Sequence, residues 1–242
     1  MSKFFSLSNT DIHYEITLVE KIVPIFILIA IIIILYLKRN KIRNNKVLDK
    51  KLRYSCGIIS LIFLLLYYIL EWSNNGITVF NLPLHICFIS NILCIILCFN
   101  KNKNIFNFVV FTGILGGLSS LLAPELDLSF KYFRYYQFMI CHISIIIIPV
   151  YFIFIYKYIV NIKDTLKVIY VTEIIGLLLG IFNEIYNTNY MFVSFTSNEA
   201  AKNSILSYIG EGYFYFINLQ IIFLITMLLW YFILKHSYRL IK

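Results

Sequence analysis

The sequence predicts an all-α fold, a polytopic membrane bundle of seven transmembrane helices with the N-terminus outside and the C-terminus cytoplasmic. Three observations predict it. Seven apolar stretches recur along the 242 residues, each approaching or exceeding the ~20 residues a helix needs to cross ~30 Å of hydrocarbon. Sixteen of the twenty-one Lys and Arg fall in alternate gaps between those stretches, which the positive-inside rule assigns to the cytoplasm. With 60% hydrophobic and 14% charged residues and a mean hydropathy of +0.82, no segment remains for a separate soluble domain. Residues 1–242 read as a single integral membrane domain.

The first stretch, Leu18 to Leu37, follows no basic n-region and precedes no small-residue cleavage site, so it reads as an anchor and not a removed signal. Eight basic residues from Lys38 to Arg53 separate it from the second, Tyr54 to Glu71. The third, Phe80 to Phe99, carries Pro83 near its start, where regular helix should bend or end. Lys101 and Lys103 mark the gap before Ile105 to Ala123, whose Gly113 and Gly117 form a G-x-x-x-G pair. The fifth, Tyr135 to Tyr156, holds Pro149 and is followed by Lys157, Lys163 and Lys167. Val168 to Asn187 repeats the small-residue device with Gly176 and Gly180, and Ile209 to Leu234 completes the set.

The net charge of +9 implies no nucleic-acid partner, because the surplus sits in short cytoplasmic gaps, where it attracts anionic inner-leaflet lipid at ~1 kcal/mol per residue. The five cysteines, Cys56, Cys87, Cys94, Cys98 and Cys141, lie within the spans without metal-ligand spacing. They read as small hydrophobes, neither a disulfide framework nor a metal site. No Gly-rich phosphate loop or flavin motif stands out, and no cofactor is expected. His13 and His236 read as solvated surface.

Polar side chains inside a span must face the bundle and find partners, which makes them functional candidates. Glu71, Asn81, His85, His142, Asn183, Glu184, Asn187 and Glu211 all belong to the outer half of the bilayer by this topology, and Glu173 is the main inner exception. That asymmetry describes a polar cavity opening outward above apolar packing. Helical spacing places Asn81 with His85, Tyr135 with Phe138 and His142, and Glu211 with Tyr215 and Asn218 on shared faces. His85 and His142 are the candidate catalytic pair, since imidazole moves protons near neutral pH. Asn183 and Asn187 read either as structural hydrogen-bond formers or as site residues. Lys131 or Arg134, in the loop opened by Pro124, could hold a phosphate or carboxylate headgroup at the cavity mouth.

Three elements carry a resemblance: Leu82-Pro83-Leu84-His85-Ile86-Cys87, then Tyr132-Phe133 shortly before His142, then Asn183 with Asn189-Tyr190-Met191-Phe192. Together they resemble the YwaF family of bacterial multipass membrane proteins, over roughly Glu71 to Tyr215. The resemblance implies a membrane bundle in the cell membrane. It also implies Asn189 and Tyr190 as site residues. Distant eukaryotic relatives are linked to acyl transfer onto phospholipids through a thiol immediately before the histidine. Leu84 stands there in this chain, so the covalent acyl-thiol route does not carry over. Cys87 would lie ~200° around a helix from His85 and is a poor substitute. After Phe192 the sequence departs again, with Phe195-Thr196-Ser197 and Gly210-Glu211-Gly212 in place of Lys-Pro and Trp-Pro elements.

The expected function is therefore a membrane enzyme acting on a lipid or acyl chain by transfer or hydrolysis. The alternatives are a small-ligand receptor or transporter without chemistry, or a scaffold whose glycine pairs mark interfaces to another membrane protein.

Overall fold

The computed structural model describes residues 3–7, 14–195 and 205–241, which leaves His13 and the Thr196-Ser197 departure outside the described residues. Among these there are seven α-helices and no strand: α1 Leu18–Arg43, α2 Lys46–Asn75, α3 Ile86–Asn100, α4 Lys103–Leu122, α5 Phe133–Tyr156, α6 Ile162–Tyr186 and α7 Gly212–Ile241. Six are long and apolar enough to cross a membrane, and the exception is α3, with 15 residues. Large apolar side chains such as Leu18, Phe26, Ile33, Ile69, Ile185 and Phe214 are exposed, the inverse of a soluble surface and what lipid contact requires.

The helices begin where the sequence supplies caps. Thr17 and Glu20 form a reciprocal capping box on α1, and the side chains of Asn45, Asn102 and Asn161 cap α2, α4 and α6. Lys157 and Asn187 end α5 and α6 in the left-handed conformation. Pro149 does not end α5, which runs on to Tyr156.

Two compact units form, Met1–Gly76 with Ile86–Tyr158, and Ile77–His85 with Ile159–Lys242. In the first, α5 packs against α1, α2, α3 and α4. Its spanning window is 67% buried against 17% for α1, so α5 is the axis of the unit and α1 its lipid-facing margin. A Cβ on Gly113 would lie 2.7 Å from the Ile145 carbonyl oxygen, and one on Gly117 2.6 Å from Ile146 Cγ1. This glycine pair is thus spent on a close crossing of α4 with α5 inside the unit, where partner recognition was the alternative expectation.

Both ends of that unit are tied. At one, the Asp49 carboxylate accepts from Tyr151 Oη at 2.7 Å and Tyr156 Oη at 2.5 Å and pairs with Arg53 at 3.3 Å, while Arg53 donates to the Cys98 carbonyl and Arg43 Nε to the Phe154 carbonyl at 2.8 Å. At the other, buried Glu20 accepts from Tyr14 Oη, Thr17 Oγ1 and the Phe130 amide, and its own carbonyl accepts from Tyr135 Oη at 2.8 Å. Between them, Ser60 donates to Asn91 and Asn91 to the Cys141 carbonyl, joining α2, α3 and α5.

In the second unit α6 packs against α7. Glu173 meets Gln220 of α7 with the amide nitrogen turned toward the carboxylate, at 2.5 and 3.0 Å. Gly180 admits Phe195 and Val193, whose atoms would lie 2.5 and 3.0 Å from a Cβ there, whereas Gly176 meets nothing within 4 Å.

Candidate functional site

The third apolar stretch corrects the sequence expectation in a way that matters for His85. Helix α3 starts at Ile86, after Pro83, so residues 77–85 are irregular and the expected helical stripe shared by Asn81 and His85 does not exist. Pro83 supplies no N–H, and the backbone groups around it are met by a turn and by side chains. Asn81 Oδ1 accepts from the Thr78 amide at 2.9 Å, and the Leu84 amide donates to the Leu82 carbonyl at 2.9 Å. Tyr190 Oη does the rest, accepting from the Leu82 amide at 3.0 Å and donating to the Val79 carbonyl at 2.7 Å.

A 15-residue helix rises only ~22 Å, about 8 Å less than the hydrocarbon thickness. Irregular backbone that enters hydrocarbon persists only if its polar groups are satisfied by protein or cavity water. Tyr190, 2% exposed, gives that satisfaction and also sets the imidazole, since its ring meets His85 edge-on at 5.0 Å between centroids.

Tyr190 is itself held by Asn183. The Asn183 amide donates to the Tyr190 carbonyl at 2.8 Å and the Val193 carbonyl at 2.9 Å, and its Oδ1 accepts from the Tyr190 amide and Thr188 Oγ1, each at 2.9 Å. Both N–H groups are committed to the turn, which the residue thereby builds. Glu184 Oε1 accepts from the Phe195 amide at 3.2 Å and Ser194 Oγ at 3.3 Å, and Tyr215 of α7 donates to the Phe192 carbonyl at 2.7 Å. The turn is strained: Asn187, Met191 and Phe192 have φ of 53°, 58° and 57°, a region that costs a bulky non-glycine residue ~1–3 kcal/mol. Asn187 ends α6, Asn189 leads into the 3-10 turn Tyr190–Phe192, and Glu211 is exposed just before α7, outside the helix expected to contain it.

The other expected site residues lie in the first unit. His142, on α5, holds its Nδ1 at 2.7 Å from the Phe138 carbonyl, which fixes Nδ1 as the protonated nitrogen and leaves Nε2 as the basic one. Arg134, one residue into α5, lies over the Tyr67 ring at 4.4 Å from its centroid and donates to Gln137 Oε1. Glu71, a turn beyond Tyr67 on α2, accepts from Asn75 at 2.8 Å. Buried Gln137 and Asn91 escaped the sequence reading, although Gln137 lies at helical spacing between Arg134 and Cys141, to whose Sγ its Nε2 donates at 3.5 Å. Among the described residues no group of three His, Cys, Asp or Glu is placed to hold a metal.

The structure thus gathers Asn81, His85, Asn183 and Tyr190 into one constellation, and Arg134 and His142 into another along α5. The first unites two of the three elements of the sequence resemblance, Leu82-Pro83-Leu84-His85 and Asn183 with Asn189-Tyr190-Met191-Phe192. No curated protein and no solved structure matches the chain. A family model does, over residues 4–231, and its name differs from the YwaF one suggested by the motifs. By that match across nearly its whole length, and in keeping with its apolar helices, the chain belongs to the TMEM164 family of multipass membrane proteins.

Proposed function

We propose that this protein modifies a membrane lipid or acyl chain in the cell membrane, with His85 as general base. The observation that carries the reading is the His85 segment: irregular backbone pinned by Tyr190, which is in turn built into a strained turn by Asn183. Strain and buried hydrogen bonds invested around one imidazole suit a group that must be presented at a fixed angle.

In this reading His85 takes the proton of a lipid hydroxyl or a water as that oxygen attacks an acyl carbonyl. The tetrahedral intermediate collapses, the carbonyl re-forms, and the departing oxygen or sulfur receives the proton back from the imidazolium. The outcome is acyl transfer or hydrolysis, and Leu84 excludes a thiol at the position before the histidine. His142, with Nε2 as its basic nitrogen, is the second candidate imidazole. Asn183 contributes by holding Tyr190, and not as an oxyanion donor.

The experiment is comparative lipidomics of cells expressing wild type, His85→Ala and His142→Ala at matched membrane levels. A lipid species that changes with wild type and with neither variant supports the reading and names the substrate. Identical profiles from folded proteins overturn it and favour ligand binding without chemistry.

A further inference from the structure

Independently of any reaction at His85, we propose that Arg134 is a binding site for the phosphodiester of a bilayer lipid. Arginine carries five N–H donors in a planar fork. Among the described residues one of them has a protein acceptor, Gln137 Oε1, and the ion pair present within 4.0 Å is Asp49–Arg53, remote from this end of α5. The nearest carboxylate along α2, Glu71, gives an oxygen to Asn75.

What surrounds the guanidinium orients it. Tyr67 lies beneath it, and Phe138 flanks it at 5.7 Å. Tyr67 is stacked on Phe88 at 5.9 Å, and Gln137 is 1% exposed and tied to Cys141, so neither support is free to swing away. Cation–π contact strengthens as water is excluded, but it leaves the edge of the guanidinium, where the N–H groups point, unspent. That edge is shaped to bind two oxygens of one phosphate side by side.

Position selects the ligand. Arg134 is the second residue of α5, at the end of a spanning helix, the depth at which lipid phosphates lie. Exposed Lys131, in the loop leading into α5, adds a second cation at the same level. A charge half-buried among rings at that depth, with no carboxylate within 4.0 Å among the described residues, is satisfied by an anion that the bilayer supplies at fixed height.

The test uses the purified full chain in detergent and reads its thermal unfolding midpoint. The additives are phosphatidylcholine, a glucosyl diacylglycerol of the same acyl chains without phosphate, and inorganic phosphate; zwitterionic phosphatidylcholine avoids general attraction to the basic gaps. Phosphatidylcholine is expected to raise the wild-type midpoint by roughly 2–4 °C or more over the phosphate-free lipid, as a native-state ligand does. Arg134→Gln should lose that difference and Arg134→Lys keep part of it. Equal protection by the two lipids, or an undiminished difference in Arg134→Gln, overturns the proposal. A full effect of inorganic phosphate alone overturns the assignment to a lipid. If Arg134→Gln does not fold, the two lipids on wild type and on Arg134→Lys decide.

Discussion

Replacing Asn183 by Ala removes four hydrogen bonds of 2.8–2.9 Å at once, three of them to the backbone of Tyr190 and Val193. Counting ~1 kcal/mol net for each of those three and little for the partly exposed Thr188 gives ~3 kcal/mol, rising toward 4 because buried carbonyls are left unpaired. At ~1.4 kcal/mol per tenfold, opening of this turn becomes ~150- to 1,000-fold more frequent. Hydrogen exchange of the purified protein reads this directly at the amides of residues 190–193. Since α6 itself keeps its ladder, exchange along Thr165–Leu179 should change far less. Acceleration below tenfold at residues 190–193, or equal acceleration all along α6, would refute the assignment of Asn183 as the keystone of the turn.

Two further perturbations separate close contacts and clasps from general packing. Gly113→Ala drives a Cβ to 2.7 Å from the Ile145 carbonyl and should cost ~1–3 kcal/mol, whereas Gly176→Ala, with nothing within 4 Å, should be neutral or slightly stabilising; thermal midpoints in detergent that fall equally for both would refute the crossing. Tyr14, ahead of α1, has its phenol pushed up to about 12 by burial and then by its bond to Glu20. Because the folded value lies above the unfolded value of 10.0, the bond contributes fully below that pH and is lost as pH rises through about 12. The stability gap between wild type and Tyr14→Phe should hold steady at neutral pH and close above pH 10; a gap that persists unchanged into that range would refute it.

The spans were legible because length, hydropathy and charge are summed over ~20 residues, and no local detail can cancel them. Span three shows where that averaging fails: Phe80 to Phe99 is apolar on average, yet Pro83 and the offer of hydrogen bonds from Tyr190 favour irregular backbone up to His85. Tyr190 lies 108 positions away from Leu82, so no window along the chain contains both. The same distance hid the roles of Glu20 and Asp49, whose partners Phe130 and Tyr151 come from α5 or the loop before it. Thr17 with Glu20 is a readable capping box and Asp49 with Arg53 a readable helical pair, but in each case local spacing shows half of the partners. Asn183 was visible as a candidate without showing what it holds in the fold; the four bonds show that.

The Asp49 clasp also bears on how the chain enters its membrane. Tyr151 follows Asp49 by 102 residues, which at ~5–20 residues per second leaves roughly 5–20 s of synthesis between them. Throughout that interval α2 already exists, with a carboxylate and a guanidinium near one end of a spanning helix and neither tyrosine to bind them. The i,i+4 pairing of Asp49 with Arg53 is available from the first turns of α2 onward. During biogenesis it can act as a provisional partner, covering both charges until α5 arrives and the tyrosines convert a local ion pair into a joint between helices. The order of synthesis thereby gives one residue pair two successive jobs, first escort and then cornerstone.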